Sequence, residues 1–440
     1  MKEKDSTPVV SKEYLVPFIL VTTLFALWGF ANDITNPMVA TFKTVMEISN
    51  TQASLVQFAF YGGYFTMAIP AALFIKKYTY KSGILMGLAL YAVGALMFYP
   101  AASFEMFGLF LISLYILTFG LAFLETTANP FILALGDPKT ATRRLNLAQA
   151  FNPIGALLGQ FVAINFILVA LRSSNGDFSA LELAEKAVIR THDLMLIRNP
   201  YVVLGLVVVG ILVVFFVSRM PTKGDKVHDL NVGESFKRLF ANSKYMFGVV
   251  AQMFYVGAQI MCWTYIVQYG ESIGMTKAEA QSYNLVATSM FLASRWICTF
   301  LLKYISGPKL MMIFSFGAII MMLGTIFIGG TAGLYTLIGA SAFMSLMFPT
   351  IYGIALDGLG EDAKLGSAGL VMAIVGGAVM PVLQGAILDF GGPAYDDLLI
   401  LGVPEVNFSF VLPLVCFIVI VFYSLFASRQ SKGSLESTQS

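Results

Sequence analysis

Twelve apolar stretches, each long enough to cross a bilayer as a helix, run through this chain, and no soluble fold has room for all of them. A helix needs about 20 apolar residues to span the hydrocarbon core. The stretches lie at 14–40, 52–75, 82–101, 105–134, 145–172, 200–218, 245–270, 279–303, 309–328, 332–356, 366–389 and 404–427, each bounded by Gly, Pro or charge. Lipid offers the backbone no hydrogen-bond partner, so runs of this length become helices. Composition agrees: 58% of residues are apolar and 12% charged, where a soluble domain carries roughly a quarter charged. The polar stretch Met1 to Lys12 leads into the first run without a small-residue cleavage site, so that run reads as a retained helix. A net charge of +2, with no basic run interleaved with aromatics, excludes nucleic acid as a partner. Cys262, Cys298 and Cys416 sit in apolar runs with no metal-ligand or disulfide-framework spacing.

Charge orients the spans. With both termini cytoplasmic, twenty Lys and Arg fall on the inner side and six on the outer, and four of those six (Arg172, Lys186, Arg190, Arg198) share one long loop. This is the positive-inside asymmetry. Arg295 alone lies within a span; it either pairs with an acid or snorkels to the inner surface. The longest inner stretch, 219–244, is polar and basic and divides the chain into a tail (1–13), a six-helix half (14–218), a linker (219–244), a second six-helix half (245–427) and a tail (428–440). A loose repeat of about 220 residues links the halves: Pro130 and Leu135-Gly136 are echoed by Pro349 and Leu359-Gly360, Arg144 by Lys364, Gly155 and Gly159 by Gly376 and Gly377. The expected fold is an all-α membrane protein of twelve helices in two halves, the major facilitator arrangement.

Polar groups inside the spans carry the functional signal. An ionisable residue at membrane depth costs about 2.5 to 3.5 kcal/mol on insertion scales. Glu125 stands near the middle of the fourth span, with Asn129 one turn on along the same face. A desolvated carboxyl without a basic neighbour can exchange a proton; its structural alternative is a protonated acid that only bonds a neighbouring helix. In the first span, Asn32 and Asn36 share a face, while Asp33 is turned about 100° away and reads either as part of the cavity or as a wet residue or cap near the outer end. In the fifth span Asn146, Gln149 and Asn152 follow at intervals of three. Amides donate and accept together, which suits neutral hydroxyls better than a dianion or a metal; interhelical glue is the other use of such groups. The seventh span carries Gln252, Tyr255, Gln259 and Trp263 as one stripe, alternating amides and rings as a sugar site would, though such rings often only pack. Asn284 and Gln384 are weaker candidates. His192 and His228 fall in loops without metal-ligand company, and no Gly-rich phosphate loop is present.

Three segments, Phe123-Leu124-Glu125-Thr126-Thr127-Ala128-Asn129-Pro130-Phe131, Arg144-Leu145-Asn146-Leu147-Ala148-Gln149-Ala150-Phe151-Asn152 and Val256-Gly257-Ala258-Gln259-Ile260-Met261-Cys262-Trp263, resemble the bacterial L-fucose:proton symporter family and its galactose and glucose relatives. The likeness runs from the first span to the twelfth. It implies that the acid at Glu125 couples protons and takes part in sugar binding, and that Gln149 and Asn152 face the sugar. One departure stands out: the functional Asp near the end of that family's first-span motif is matched by Asn36, and an acid stands three residues earlier, at Asp33.

The expected function is proton-coupled import of a hexose or deoxyhexose, foremost L-fucose, by a monomer in the bacterial inner membrane. No enzymatic activity, cofactor or metal is expected; the coupling ion is the proton. Glucose, galactose, mannose or an amino sugar, with proton or sodium coupling, form the alternative. A metabolite or drug exporter fits the amide-rich spans less well, and a sugar sensor fits poorly with tails as short as 1–12 and 429–440.

Overall fold

A computed structural model of the chain describes residues 8–35, 38–48, 50–173, 178, 181–221, 232–275, 277–388 and 398–436. Twelve helical segments are long and apolar enough to cross a membrane: Lys12–Thr35, Leu55–Lys77, Tyr80–Ser103, Phe107–Ala134, Pro138–Ala170, Leu183–Val217, Ser243–Ser272, Glu279–Leu301, Gly307–Phe327, Gly330–Leu356, Gly360–Leu388 and Glu405–Arg429. The chain is a multi-pass membrane protein, and each segment overlaps one of the twelve stretches read from the sequence. Among the described residues the one departure from all-α structure is a small hairpin before the last span, Leu399–Ile400 paired antiparallel with Val403–Pro404.

The sixth span corrects the sequence reading. Its helix, Leu183–Val217, starts well before residue 200 and takes in Lys186, Arg190, His192 and Arg198, which hydropathy assigned to a loop. Tertiary partners explain the extension. Lys186 Nζ and Arg190 Nη2 donate to the two carboxylate oxygens of Glu47, at 2.7 and 3.0 Å. Lys186, with Arg190 beside it, holds that carboxyl below the usual range. Thr191 donates to Glu105. Asp193, fully buried, accepts the backbone N–H groups of Arg172 and Ser173 at 3.1 and 2.8 Å. Polar residues can thus extend a helix past its apolar core when their partners come from distant chain. His228 lies outside the described residues.

The chain divides into two compact units. One comprises Met1–Lys12, Ile132–Pro153 and Asn231–Ser440; the other comprises Glu13–Phe131 and Ile154–Leu230. Residues 132–153, in the linear N-terminal half, cluster with the C-terminal helices. Within that unit Asn146 Nδ2 donates to Thr350 Oγ1 at 3.2 Å, and Arg143 Nε to the Thr299 carbonyl at 3.3 Å.

Prolines break two spans of this first unit. The fifth span is Ala141–Gln149 followed by Asn152–Val162, and the tenth is Gly330–Met344 followed by Met347–Leu356. Proline has no N–H, so the carbonyl four residues earlier loses its helical donor. For Pro153 that carbonyl belongs to Gln149, and for Pro349 to Ser345. Arg295 reaches both: Nε donates to Ser345 O at 2.6 Å and Nη1 to Gln149 O at 3.1 Å. Its guanidinium also lies over the Phe291 ring, 4.6 Å from the centroid. Arg295 is 2% exposed, so it does not snorkel, and among the described residues its partners are carbonyls rather than the acid the sequence suggested. It supplies the donors that two prolines removed.

Arg144 does similar work where the fourth span ends. A helix leaves its last carbonyls unpaired, and Arg144 donates through Nε to Ile132 O at 2.7 Å and through Nη2 to Leu133 O at 2.6 Å. Nη1 reaches Val9 O and Thr140 Oγ1 at 3.2 and 3.1 Å. Gly136 sits beneath it with φ of 129°, and a Cβ there would come within 2.9 Å of Nη1. The basic echo Lys364, in the other half, is likewise buried.

Leaving a buried carbonyl unpaired costs about 1 to 3 kcal/mol. Arg295→Met keeps the apolar stem and removes both donors, so it is expected to lower stability by about 3 kcal/mol. Thermal unfolding of the purified protein in detergent reads this as a lower Tm; an unchanged Tm would show that the carbonyls of Gln149 and Ser345 do not depend on Arg295.

Candidate functional site

The unit containing Glu13–Phe131 and Ile154–Leu230 carries the two membrane-depth acids. Glu125 lies in the helix Phe107–Ala134 and is 8% exposed. Among the described residues no ion pair or hydrogen bond reaches its carboxyl. Tyr64, a buried ring on the helix Asn50–Lys77, lies within electrostatic reach. Asn129, fully buried, donates through Nδ2 to the Glu125 backbone carbonyl at 3.0 Å. The shared face read from the spacing is real, but that bond ties Asn129 to the helix backbone rather than to the acid.

Asp33 is half-buried in the helix Leu15–Thr35. Asn32 Nδ2 donates to its Oδ2 at 3.4 Å, and Gln160 Nε2, from the helix Asn152–Val162, donates to its Oδ1 at 2.8 Å. Asn32 and Asp33 therefore meet despite the angle between them, because the carboxylate bends back to its neighbour. Asn36, the position that matches the family acid, lies outside the described residues. Close helix contact sets up the Gln160 bond. A Cβ on Gly159 would come within 2.6 Å of the Phe30 carbonyl, and one on Gly155 would collide with the Ala26 backbone. These glycines, four apart, form the small-residue seam that lets membrane helices approach closely.

The other unit carries the amides. Asn146 is fully buried and bonds Thr142 O at 3.0 Å as well as Thr350, so in this row it is the interhelical tie. Gln149 is 5% exposed, while Asn152, one turn on, is half-buried at the start of its helix. The stripe on Ser243–Thr264 grades from closed to open. Gln252 is fully buried with neither amide atom hydrogen-bonded, and Tyr255, also fully buried, donates to the Met344 carbonyl at 3.1 Å. Gln259 and Trp263 are half-buried; Trp263 Nε1 donates to Ser341 Oγ at 3.1 Å, and its ring meets Phe291 edge-on at 5.1 Å. Gln384 is fully buried and donates to Ser409 Oγ at 2.9 Å, and Asn284 is half-buried.

Sequence reasoning missed Gln160, Tyr64 and Ser341. Gln160 was as visible as Gln149, an amide in an apolar run beside Gly159, but its partner lies 127 residues away. The hydroxyls of Tyr64 and Ser341 have no pattern that separates them from packing residues.

The family model described as Major Facilitator Superfamily matches residues 20–382. Over 422 residues the chain is 58% identical to the L-fucose-proton symporter of Haemophilus influenzae, covering 94% of this chain and 97% of that protein. It is 31% identical over 424 residues to the glucose/galactose transporter of Brucella abortus, covering 95% of each. The fold matches the crystal structure of a major facilitator superfamily transporter, FucP, in the outward conformation, with a TM-score of 0.84 and 32% identity over 94% of this chain and 99% of that one.

Proposed function

The chain belongs to the major facilitator superfamily, and from that premise we propose that it imports L-fucose together with protons by alternating access. The observation that carries this reading is Glu125: a carboxyl at mid-span, 8% exposed, with no cation to fix its charge. Coulomb attraction to a buried Lys or Arg would lock such a group in its ionised form. Without one, the acid is neutral when it holds a proton and charged when it does not, so a proton gradient can act on it. L-Fucose as the cargo is supported by the symporter of Haemophilus influenzae at 58% identity, and by amides at Gln149, Asn152 and Gln259 that can donate to and accept from sugar hydroxyls. Trp263 offers an apolar ring face one turn beyond Gln259. Asn32, Asn36, Asn129 and Tyr255 complete the proposed sugar-contacting set, and Asp33 joins Glu125 in proton handling.

In the proposed cycle Glu125 takes a proton from the outer side, the sugar binds to the neutral form, and both leave on the inner side, where protons are scarcer. The reading calls for no cofactor and no bond-making step, so the protein acts as a carrier rather than an enzyme. It places the chain in the bacterial inner membrane as a monomer with both termini in the cytoplasm. The excess of Lys and Arg on one side of the spans supports that orientation.

Glu125→Gln is expected to abolish uphill accumulation of radiolabelled L-fucose while leaving sugar-for-sugar exchange measurable; accumulation at the wild-type level would sink the role of Glu125. Asn152→Ala removes one side-chain hydrogen-bonding group and is expected to raise the apparent KM by about tenfold at equal surface abundance, from the loss of about 1.4 kcal/mol. An unchanged KM would take the fifth span out of the sugar site. Competition by D-glucose or D-galactose with no L-fucose uptake would instead assign the cargo of the Brucella relative.

A further inference from the structure

The bond between Gln160 and Asp33 has a chemical asymmetry that an ordinary helix tie lacks. Among the described residues the carboxylate receives neutral donors alone, one amide on each oxygen: Gln160 Nε2 on Oδ1 at 2.8 Å and Asn32 Nδ2 on Oδ2 at 3.4 Å. Elsewhere in the same unit acids are held differently. Buried Asp193 accepts two fixed backbone N–H groups and meets the His192 ring, and exposed Glu47 faces Lys186 and Arg190. Backbone N–H groups and the two cations cannot turn from donor to acceptor. A primary amide can, by rotating about its last torsion to present Oε1 where Nε2 stood.

We infer that Gln160 is the positioning residue for a second proton-exchanging carboxyl, Asp33, serving it as a donor when ionised and as an acceptor when protonated. This rests on the proton-coupled reading above. In the step itself a hydronium transfers its proton to Asp33 Oδ1, releasing water and forming the neutral acid. The amide of Gln160 turns, its Nε2–H bond to Oδ1 is lost, and the new O–H donates to Gln160 Oε1. The reverse step restores the carboxylate. In either state Asp33 Oδ1 keeps a hydrogen bond to the Gln160 amide.

Three features of the surroundings fit. Asp33 is half-buried. The Gly155 and Gly159 seam sets the backbone of Gln160 close to the first span. Charged groups are scarce around the pair. The helix Asn152–Val162 holds no ionisable residue. On Asn50–Lys77, Tyr61 lies within electrostatic reach of Asp33, and on Leu183–Val217 the hydroxyl of Tyr201 is engaged with Thr35 Oγ1 at 2.9 Å.

The test is the pH profile of L-fucose uptake by the full-length protein in proteoliposomes, for wild type, Gln160→Leu, Asp33→Asn and the double variant. Gln160→Leu removes the bond made in each state, and the bond to the ionised carboxylate is the stronger because a charged acceptor strengthens it, so the midpoint of apparent KM against external pH is expected to move upward by about one unit. In the Asp33→Asn background the same replacement is expected to move nothing, because the acid it serves is gone. A shift equally large in both backgrounds would make Gln160 a structural residue and overturn the inference, as would no shift in either. Gln160→Glu, which retains a hydrogen-bonding head group and adds a second carboxyl, gives the second reading: its midpoint is expected to differ from those of both wild type and Gln160→Leu, whereas a profile identical to that of Gln160→Leu would contradict the inference. Failure of the parent reading looks different, since wild-type uptake would then be indifferent to a protonophore.

Discussion

Lipid supplies no hydrogen bonds, and this structure depends on how its broken helices answer that constraint. Pro153 and Pro349 interrupt the fifth and tenth spans and strand the carbonyls of Gln149 and Ser345. One buried side chain, Arg295, donates to both, at 3.1 and 2.6 Å. A lysine in its place would present a compact ammonium on a flexible stem in place of the planar, forked donor set that meets two carbonyls at once. Arg144 closes the end of the fourth span by the same means. The amides thought to face sugar sit directly beside these repairs, since Gln149 is both a capped carbonyl and a candidate ligand. A broken helix exposes polar backbone at membrane depth, and the bundle uses its buried arginines to make that tolerable.

The acids sort by what holds them. Asp362 is gripped by Arg238 through two bonds of 2.7 and 2.8 Å, Glu47 by Lys186 and Arg190, and Asp193 by backbone N–H groups. Each of these partners fixes a negative charge and each serves architecture. Among the described residues Glu125 has no such partner, and Asp33 has amides alone. Holding an ionised carboxyl inside a bundle without a counter-charge is unfavourable, and the proposed cycle draws on that at these two. That contrast, drawn within one molecule, separates carboxyls that build the fold from carboxyls that can work in it.

Much of this was legible from the sequence. The twelve spans follow from run length, and Glu125 stands out because a lone acid inside an apolar helix costs too much on insertion to be incidental. What escaped were properties set by distant partners. The sixth helix begins at Leu183 because Lys186 and Arg190 find Glu47, a contact that local hydropathy cannot register. Arg295 was expected to pair with an acid or to snorkel to the inner surface, since side-chain patterns count charges and not stranded carbonyls, even though both prolines were in plain view. Gln160 was passed over because its meaning depends on Asp33, 127 residues away, and on two glycines that let the helices close together.

The central claim is that sugar and proton move together through a carboxyl left without a counter-charge. A pH electrode in a lightly buffered suspension of de-energised bacteria expressing the protein tests it most directly. Addition of L-fucose is predicted to make the medium transiently alkaline as protons enter with the sugar, and a protonophore or the Glu125→Gln replacement is predicted to erase that signal. Entry of radiolabelled L-fucose with no accompanying change in external pH would contradict the account.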